Sequence, residues 1–230
     1  MSYSYDTLIQ KATDKIGENV NDINDSLIDS LVQDAIYEYS RVRAREKVTD
    51  FTGDGTAYSF TLPSDWMDGF SVVKRVEYPF GEQEPEIIKP YKYRVYRGTA
   101  GVTFRMVKDT PSSTGTVRVT YLLPHTGSSS SFTIPDSDVS AVAALAASKL
   151  ARQLAAQNAR TQASTMDADV VNYLSQVASW NTLADKLEDE YKALIGIPKN
   201  GNEEAVTDWA DWDMSFAWGE NLLTHPRSWR

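Results

Sequence analysis

The chain has 230 residues, of which 32 are acidic and 23 basic, giving a formal net charge of −9, and it contains no cysteine. This length suffices for one large hydrophobic core or two small ones, and the lack of cysteine excludes a disulfide framework, thiolate metal sites and a cysteine nucleophile. With only His125 and His225 a histidine-rich metal site is not expected, no cofactor is predicted, and a net-acidic chain is poorly suited to wrapping nucleic acid.

Neither secretion nor membrane insertion is predicted. Residues 1–6 lack the basic start and apolar run of a signal peptide. The longest apolar run, at residues 139–147, is far shorter than a membrane span. We therefore expect a soluble protein made and kept in a cytoplasm.

The first 47 residues predict two amphipathic helices. Residues 5–17 form the first, which ends at Gly17. The second runs from about Asp25 to Glu46 with an apolar stripe of Leu27, Ile28, Leu31, Ala35, Ile36 and Tyr39. Its last turns carry Arg41, Arg43 and Arg45. The simplest interpretation is that these cations complement the helix dipole on a solvated face, and the alternative is a phosphate-binding or partner-binding site.

Residues 48–126 predict a small inserted β domain, because the hydrophobic period changes there from helical to alternating. The turn signal Gly53-Asp54-Gly55 between two strand-like segments predicts a hairpin. Further strands are expected over residues 70–78, 87–88, 93–96, 102–106 and 116–121. Such short strands are typical of an antiparallel sheet or barrel. The serine-rich residues 127–131 predict a flexible link back to the helices.

Residues 132–196 predict two long helices around which the rest of the chain is arranged. The first runs from Val139 to about Ala159 and has alanine on nearly every face, which predicts packed neighbours on several sides. The second spans about residues 167–195 and ends at Gly196 and Pro198. Its expected seam is Val170, Leu174, Val177, Asn181, Ala184, Leu187, Tyr191 and Leu194. The predicted fold class is α+β, mainly α: a helical bundle of two N-terminal and two long C-terminal helices, an inserted antiparallel β domain and an extended C-terminal arm.

The arm, residues 197–230, combines acidic and aromatic side chains and holds four of the six tryptophans. Disordered segments are usually poor in aromatic residues, so this segment either folds back on its own helices or docks onto another chain. We favour docking, because the polar linker before it would let the arm reach outward. The predicted contact residues are Trp209, Trp212, Phe216, Trp218 and Trp229.

No catalytic constellation emerges from the sequence, so we predict a non-enzymatic protein. There is no glycine-rich phosphate loop before a helix and no His-Glu-x-x-His or Gly-x-Ser-x-Gly pattern. The carboxylate groups Asp136/Asp138 and Glu188/Asp189/Glu190 are explained by helix caps and solvated faces. The aromatic residues of the β domain suit a core better than a sugar- or base-stacking platform: Tyr58, Phe60, Tyr93, Tyr96 and Phe104.

Three segments of the β domain and the order of the elements resemble a known family. These segments are residues 62–66 (Leu-Pro-Ser-Asp-Trp), 76–79 (Val-Glu-Tyr-Pro) and 119–124 (Val-Thr-Tyr-Leu-Leu-Pro), followed by the Ile134-Pro135 helix start. Together with the long helices and the polar-aromatic arm, this order resembles the head–tail adaptor (connector) proteins of tailed bacteriophages over about residues 5–196.

The resemblance implies a structural role in the virion, at the interface between head and tail, after assembly in the host cytoplasm. Members of that family form rings, typically dodecameric, beneath the capsid portal. Their helices build the ring, the β part faces the tail, the C-terminal arm grips the portal, and DNA passes through without specific binding. The implied partners are the portal protein, tail or neck proteins and further copies of the chain. No catalytic site is carried over.

Two hypotheses from other classes stay open at this stage. The first is a carbohydrate- or cell-wall-acting virion protein whose β domain binds glycan through its aromatic residues and whose paired carboxylates hydrolyse it. The second is a chaperone or scaffold that binds a partner transiently and is absent from the finished particle.

Overall fold

The computed structural model describes residues 3–81, 86–98, 101–107, 109–161 and 173–197. Its helices are α1 (Tyr5–Asp14), α2 (Asp25–Val42), α3 (Val139–Thr161) and α4 (Tyr173–Ile195), with 3-10 turns at Gly17–Asp22 and Pro90–Lys92. The predicted mixture of helices and antiparallel strands is confirmed, whereas the four-helix bundle stays a prediction. The expected contact residues of the arm, from Trp209 to Trp229, lie outside the described residues, as does the expected start of the last helix at 167–172.

The strands are β1 (Arg45–Thr52), β2 (Ser59–Thr61), β3 (Val73–Glu77), β4 (Tyr93–Gly98), β5 (Gly101–Met106), β6 (Thr116–Leu123), β7 (Gly127–Ser128) and β8 (Ser131–Phe132). They form a first sheet ordered β1-β6-β3, a second sheet ordered β2-β5-β4 and a short β7-β8 pair, all antiparallel. The described residues thus form two three-stranded sheets where the sequence predicted one sheet or a barrel.

Helix α3 lies at the centre of the helical core and contacts α1, α2 and α4. Its buried side chains are mostly alanines: Ala141, Ala143, Ala144, Ala146, Ala147, Ala151 and Ala155. Small side chains let neighbouring helix backbones approach closely, and alanine has the best helix propensity. The prediction that this helix has packed neighbours on several sides is confirmed.

Helix α2 ends four residues earlier than the sequence predicted. The Asn24 side chain caps its start by accepting a hydrogen bond from the backbone N–H of Ser26 at 2.9 Å. The helix ends at Val42, and β1 begins at Arg45. The expected helix end at Glu46 was wrong because residues 46–52 pair residue by residue with β6, so tertiary pairing overrides the helical pattern.

The seam of α4 differs from the predicted one at Asn181 and at its end. Ala184, Leu187, Tyr191 and Ile195 are buried, while Leu194 is 53 % exposed and Asn181 is also exposed. At about 100° per residue, Ile195 lies about 40° from Tyr191 on one side of the helix and Leu194 about 60° on the other, and the buried face continues to Ile195.

The hairpin predicted around Gly53-Asp54-Gly55 does not form, because β1 and β2 belong to different sheets. The loop packs instead against the segment before β6: the Gly53 and Gly55 N–H groups donate to the carbonyls of Gly115 and Pro111 at 2.8 and 3.0 Å. A Cβ on Gly53 would lie 2.3 Å from the Ser112 carbonyl oxygen. The glycine therefore serves a close backbone approach rather than a two-strand turn.

The two larger sheets share one core built from large side chains. The ring of Phe51, on β1, stacks on Phe60 of β2 at 5.2 Å and on Phe104 of β5 at 6.3 Å between ring centres. Phe104 is fully buried, as are Val76, Val117 and Val119 of the first sheet. The aromatic contacts hold the inner faces of the two sheets together.

The expected flexible link at residues 127–131 is wrong, since these residues form the β7-β8 hairpin on the helical core. The Gly127 carbonyl accepts a hydrogen bond from the Gln33 side chain. A Cβ at Gly127 would lie 2.3 Å from Cδ1 of Ile36, so this glycine also allows a close approach. Serine hydroxyls of the hairpin form hydrogen bonds with each other and with its backbone. These bonds order a segment whose composition is typical of flexible linkers.

Candidate interaction surfaces

Arg43 connects the ends of three helices. As the C-cap residue of α2, it donates from Nη1 to Oδ2 of Asp138 at 2.8 Å and from Nη2 to the Ile195 carbonyl at 2.9 Å. Asp138 immediately precedes α3, and Ile195 is the last residue of α4. The guanidinium fork is thus engaged inside the chain, where it joins α2, α3 and α4.

Asp138 is the buried anion of this junction, with a relative exposure of 6 %. Burial by itself raises the pKa of its carboxyl group, but hydrogen bonds from Tyr39, Arg43 and Ser137 outweigh burial, so the pKa is lowered. The Tyr39 hydroxyl donates to Oδ2 at 2.6 Å, and burial together with this bond raises the pKa of Tyr39. The group is therefore a fixed carboxylate that holds the helices together.

Arg41 lies on an exposed groove between α2 and α3. The groove has a volume of about 360 Å³ and is lined by Asp34, Tyr37, Glu38, Arg41 and Lys149. The guanidinium carbon of Arg41 lies 5.2 Å from the centre of the Tyr37 ring, and Lys149 pairs with Glu38 at 2.6 Å. Of the three predicted arginines, Arg41 is the one that the structure places on such a groove.

Arg45 begins β1 opposite Leu123 of β6. The structure therefore distributes Arg41, Arg43 and Arg45 over a helix, a helix cap and a strand instead of one helical cluster. The sequence pattern gave no sign of the difference, because the hydrogen bonds that select Arg43 come from residues 95 and 152 positions away.

The aromatic residues expected in the β core divide into two groups. Phe104 is buried, and Phe60 and Tyr93 pack partly buried against the shared core. Tyr58 and Tyr96 are each 44 % exposed and flank Arg105, whose guanidinium carbon lies 4.5 and 5.7 Å from their ring centres. Core packing thus explains three of the five residues, and the two exposed tyrosines belong to a surface that the sequence analysis missed.

The carboxylates considered for acid–base chemistry are engaged in structural contacts. Glu188 accepts hydrogen bonds from Lys192 and Arg152, and the bond from Lys192 and the two positive charges lower its pKa despite partial burial. Asp136 accepts a hydrogen bond from the Tyr3 backbone N–H at 3.2 Å. A general acid near neutral pH needs a raised carboxyl pKa, and Asp138 and Glu188 show the opposite shift.

Within the described residues, no group of three or more histidine and carboxylate side chains could hold a metal ion. In the same part of the chain, no helix is both long enough and apolar enough to cross a bilayer.

Comparison with known families agrees with the resemblance drawn from the β segments and the element order. The model of the SU10 adaptor protein family matches residues 3–189, which include all four α-helices except the end of α4 and every strand named above. A search of the curated proteins gave no match. The chain belongs to the SU10 adaptor protein family and is a structural protein of a bacteriophage that joins other head or tail proteins.

Proposed function

We propose that the protein assembles as a ring, expected to be dodecameric, beneath the capsid portal, where it extends the DNA channel and provides the attachment site for the tail. The observation that carries this proposal is the family match over residues 3–189. In such an assembly each subunit contacts its neighbours through two different surfaces, because a closed ring is built from head-to-tail contacts.

The division of the chain into domains suits a protein inserted between others. We assign the bundle to residues 1–47 and 132–196, the β domain to 48–126 and the arm to 197–230. The helical core and the core shared by the two sheets are separate clusters of buried side chains. Each region can therefore offer its own surface to a different partner.

We assign portal binding to the arm, through Trp209, Trp212, Phe216 and Trp218, with Trp229 as a further contact. Buried tryptophan anchors supply much of the energy of protein interfaces and offset the entropy lost when a segment is ordered. Arg41, on its exposed groove, is the best placed of the three arginines for a contact between subunits or with the portal. Arg43 and Arg45 stay weaker candidates for the same contact.

The charge balance supports a channel through which DNA moves without being held. The chain carries nine more acidic than basic residues. Negative charge along a lumen repels the DNA phosphates and keeps the genome mobile. Asp138 and Glu188 do not favour the wall-cleaving alternative, because both carboxylates serve as partners of cations.

Truncation tests the arm assignment directly. A chain ending at Gly201 should keep the circular dichroism spectrum of the helical core yet fail to attach to portal-containing heads in a sedimentation assay. A chain ending at Leu222 removes only Trp229 of the proposed anchors and should keep most of the attachment. Full attachment by the shorter chain would refute portal binding by the arm.

Electron microscopy of reconstituted particles tests ring and position together. We expect a ring of density directly below the portal, with the symmetry given by its class averages. The Arg41→Ser variant should weaken ring formation while leaving the melting temperature unchanged, with the exposed Arg97→Ser variant as the control. A protein absent from finished particles would favour the transient chaperone instead.

A further inference from the structure

The outer faces of the two sheets carry charge in different ways. On the outer face of the first sheet, the charged side chains form pairs of opposite charge. Glu46 pairs with Lys74 at 2.6 Å, Asp50 with Arg118 at 2.7 Å and Glu77 with Arg75 at 2.9 Å. We call this surface the ion-paired face; its three carboxylates and three cations cancel.

The second sheet carries two arginines without such partners. The register places Ser59, Arg105 and Arg94 side by side across its three strands, with Tyr96 in the next row and Tyr58 immediately before β2. We call Tyr58, Arg94, Tyr96 and Arg105 the arginine face. Within the described part of the chain, no carboxylate oxygen lies within 4.0 Å of either guanidinium group.

The geometry of the arginine face suits the binding of carboxylates. The Arg105 guanidinium is flanked by Tyr58 and Tyr96, which restrains it before any ligand arrives and leaves its N–H fork available. Carboxylates accept two parallel hydrogen bonds from such a fork, and tyrosine rings beside it offer apolar contact to other aromatic groups. The preferred ligand is therefore an acidic peptide that also carries aromatic side chains.

The chain itself contains a segment of this chemistry. Residues 203–220 hold six carboxylates, no lysine or arginine, three tryptophans and one phenylalanine. The chain leaves α4 at Ile195, whose carbonyl is bound by Arg43 two residues before β1. Residues 197–208 can span up to about 40 Å when extended, more than the length of about 26 Å of an eight-residue strand such as β1.

We propose that residues 203–220 dock on the arginine face of their own chain in the free subunit. Charge complementarity selects this face over the ion-paired face, and the short connection raises the local concentration of the segment to the millimolar range. A contact of only millimolar strength is then occupied in about half of the chains. The portal later competes for the same segment, so this inference goes beyond the proposed portal contact and concerns the protein before assembly.

Paramagnetic broadening in solution tests the contact on the full chain. Because the sequence has no cysteine, Ser59→Cys gives one attachment site for a nitroxide beside Arg105, and Val48→Cys gives a matched site on the ion-paired face. The readout is the intensity of the indole N–H signals of Trp209, Trp212 and Trp218 in a nitrogen-15 spectrum, assigned with Trp→Phe variants. We expect the Ser59 label to remove most of the intensity of these signals, because a weak contact exchanges fast and the strong relaxation of the docked state is averaged over all chains, and we expect little loss from the Val48 label.

Charge variants identify the groups responsible. Arg94→Ser combined with Arg105→Ser should restore the signals, and so should raising the salt to about 1 M, where the screening length falls to about 3 Å. The matched variant Lys74→Ser with Arg75→Ser removes two cations from the ion-paired face and should leave the broadening intact.

Three results would overturn the proposal: no broadening, equal broadening from both labels, or broadening that survives the double arginine variant. Broadening that appears only between spin-labelled and isotope-labelled chains in a mixture would assign the site to a second copy and refute docking within one chain. None of these measurements involves a portal, so their failure leaves the truncation test of the arm unaffected, and failure of that test leaves this contact standing.

Discussion

The helical core and the core between the sheets reach tight packing by opposite means. Around α3 the buried side chains are mainly alanine, so the helices approach through small groups. Between the sheets the contacts are made by large rings, with Phe51, Phe60 and Phe104 stacked across the gap. A core of small groups has little room for added atoms, whereas a core of large groups loses much when atoms are removed.

Removing a ring from the core between the sheets should give the largest effect. Phe104→Ala is expected to reduce the free energy of unfolding by about 4 kcal/mol, because the fully buried ring contacts both Phe51 and Tyr93. Urea titration measures the loss, and amide hydrogen exchange shows whether β5 and β6 lose protection before α3 does. Phe104→Leu fills part of the cavity and should cost less; equal losses would contradict a cavity mechanism.

Enlarging a small group in the helical core tests the other half of the comparison. Ala146 is fully buried on α3, so Ala146→Leu should destabilise the protein by about 2 kcal/mol through overpacking. Ala156 is exposed on the same helix, and Ala156→Leu should change stability by no more than about 0.5 kcal/mol. Similar melting temperatures for the two variants would mean that the helices can separate to admit a larger side chain.

The junction at Asp138 makes an electrostatic contribution to the free energy of unfolding, and this contribution depends on pH. The folded pKa of Asp138 is lowered, so its contribution is fully present above the unfolded value of about 3.9 and is lost as the pH falls through the folded pKa. Asp138→Asn should therefore reduce stability at pH 7 by about 2 kcal/mol, since hydrogen bonds to a charged group are lost. The stabilities of the two proteins should converge as the pH falls through the folded pKa of Asp138; a constant difference would exclude this carboxylate as the cause.

The sequence predicted well those features that depend on neighbours along the chain. The amphipathic stripe of α1 and the alanine-covered α3 follow from local periodicity; α3 lies where expected, and α1 begins where expected but ends at Asp14, before the predicted end at Gly17. Features decided by distant residues were missed: β1 pairs with β6 instead of β2, and this pairing ends α2 early. The sequence correctly indicated that a turn requires glycine at position 53, but this glycine packs against the segment before β6 and does not form a hairpin.

The same distinction applies to the surfaces. Arg41, Arg43 and Arg45 follow one another in the sequence, yet only partners far along the chain decide that Arg43 is a structural link. The arginine face had a weak signal, since Arg94, Tyr96 and Arg105 alternate with core residues in two strands. Whether these arginines can bind a ligand depends on the lack of carboxylates on the neighbouring strands, and only the sheet order identifies those strands.

Substitution of two buried tyrosines in the helical core should give the smallest changes in stability, and the two changes should have opposite signs. The hydroxyl of Tyr191 is buried without a hydrogen-bond partner among the described residues, and burial raises its pKa to about 12. Tyr39 is equally buried but donates its hydroxyl proton to Asp138. Tyr191→Phe removes an unsatisfied polar group and should stabilise the fold by about 1 kcal/mol, whereas Tyr39→Phe should destabilise it by about 1.5 kcal/mol.

Thermal unfolding of the two variants at pH 7 measures this difference with the same chemical change at both sites. Because each substitution removes a single oxygen, cavity effects are nearly equal and the sign reports the hydrogen bond alone. The Asp138→Asn background provides the control: there the cost of Tyr39→Phe should shrink, since the charged acceptor is gone, while the gain from Tyr191→Phe should stay the same. Destabilisation by Tyr191→Phe would show that the Tyr191 hydroxyl has a hydrogen-bond partner in solution. The helical core would then contain a second buried polar contact in addition to that of Tyr39 with Asp138.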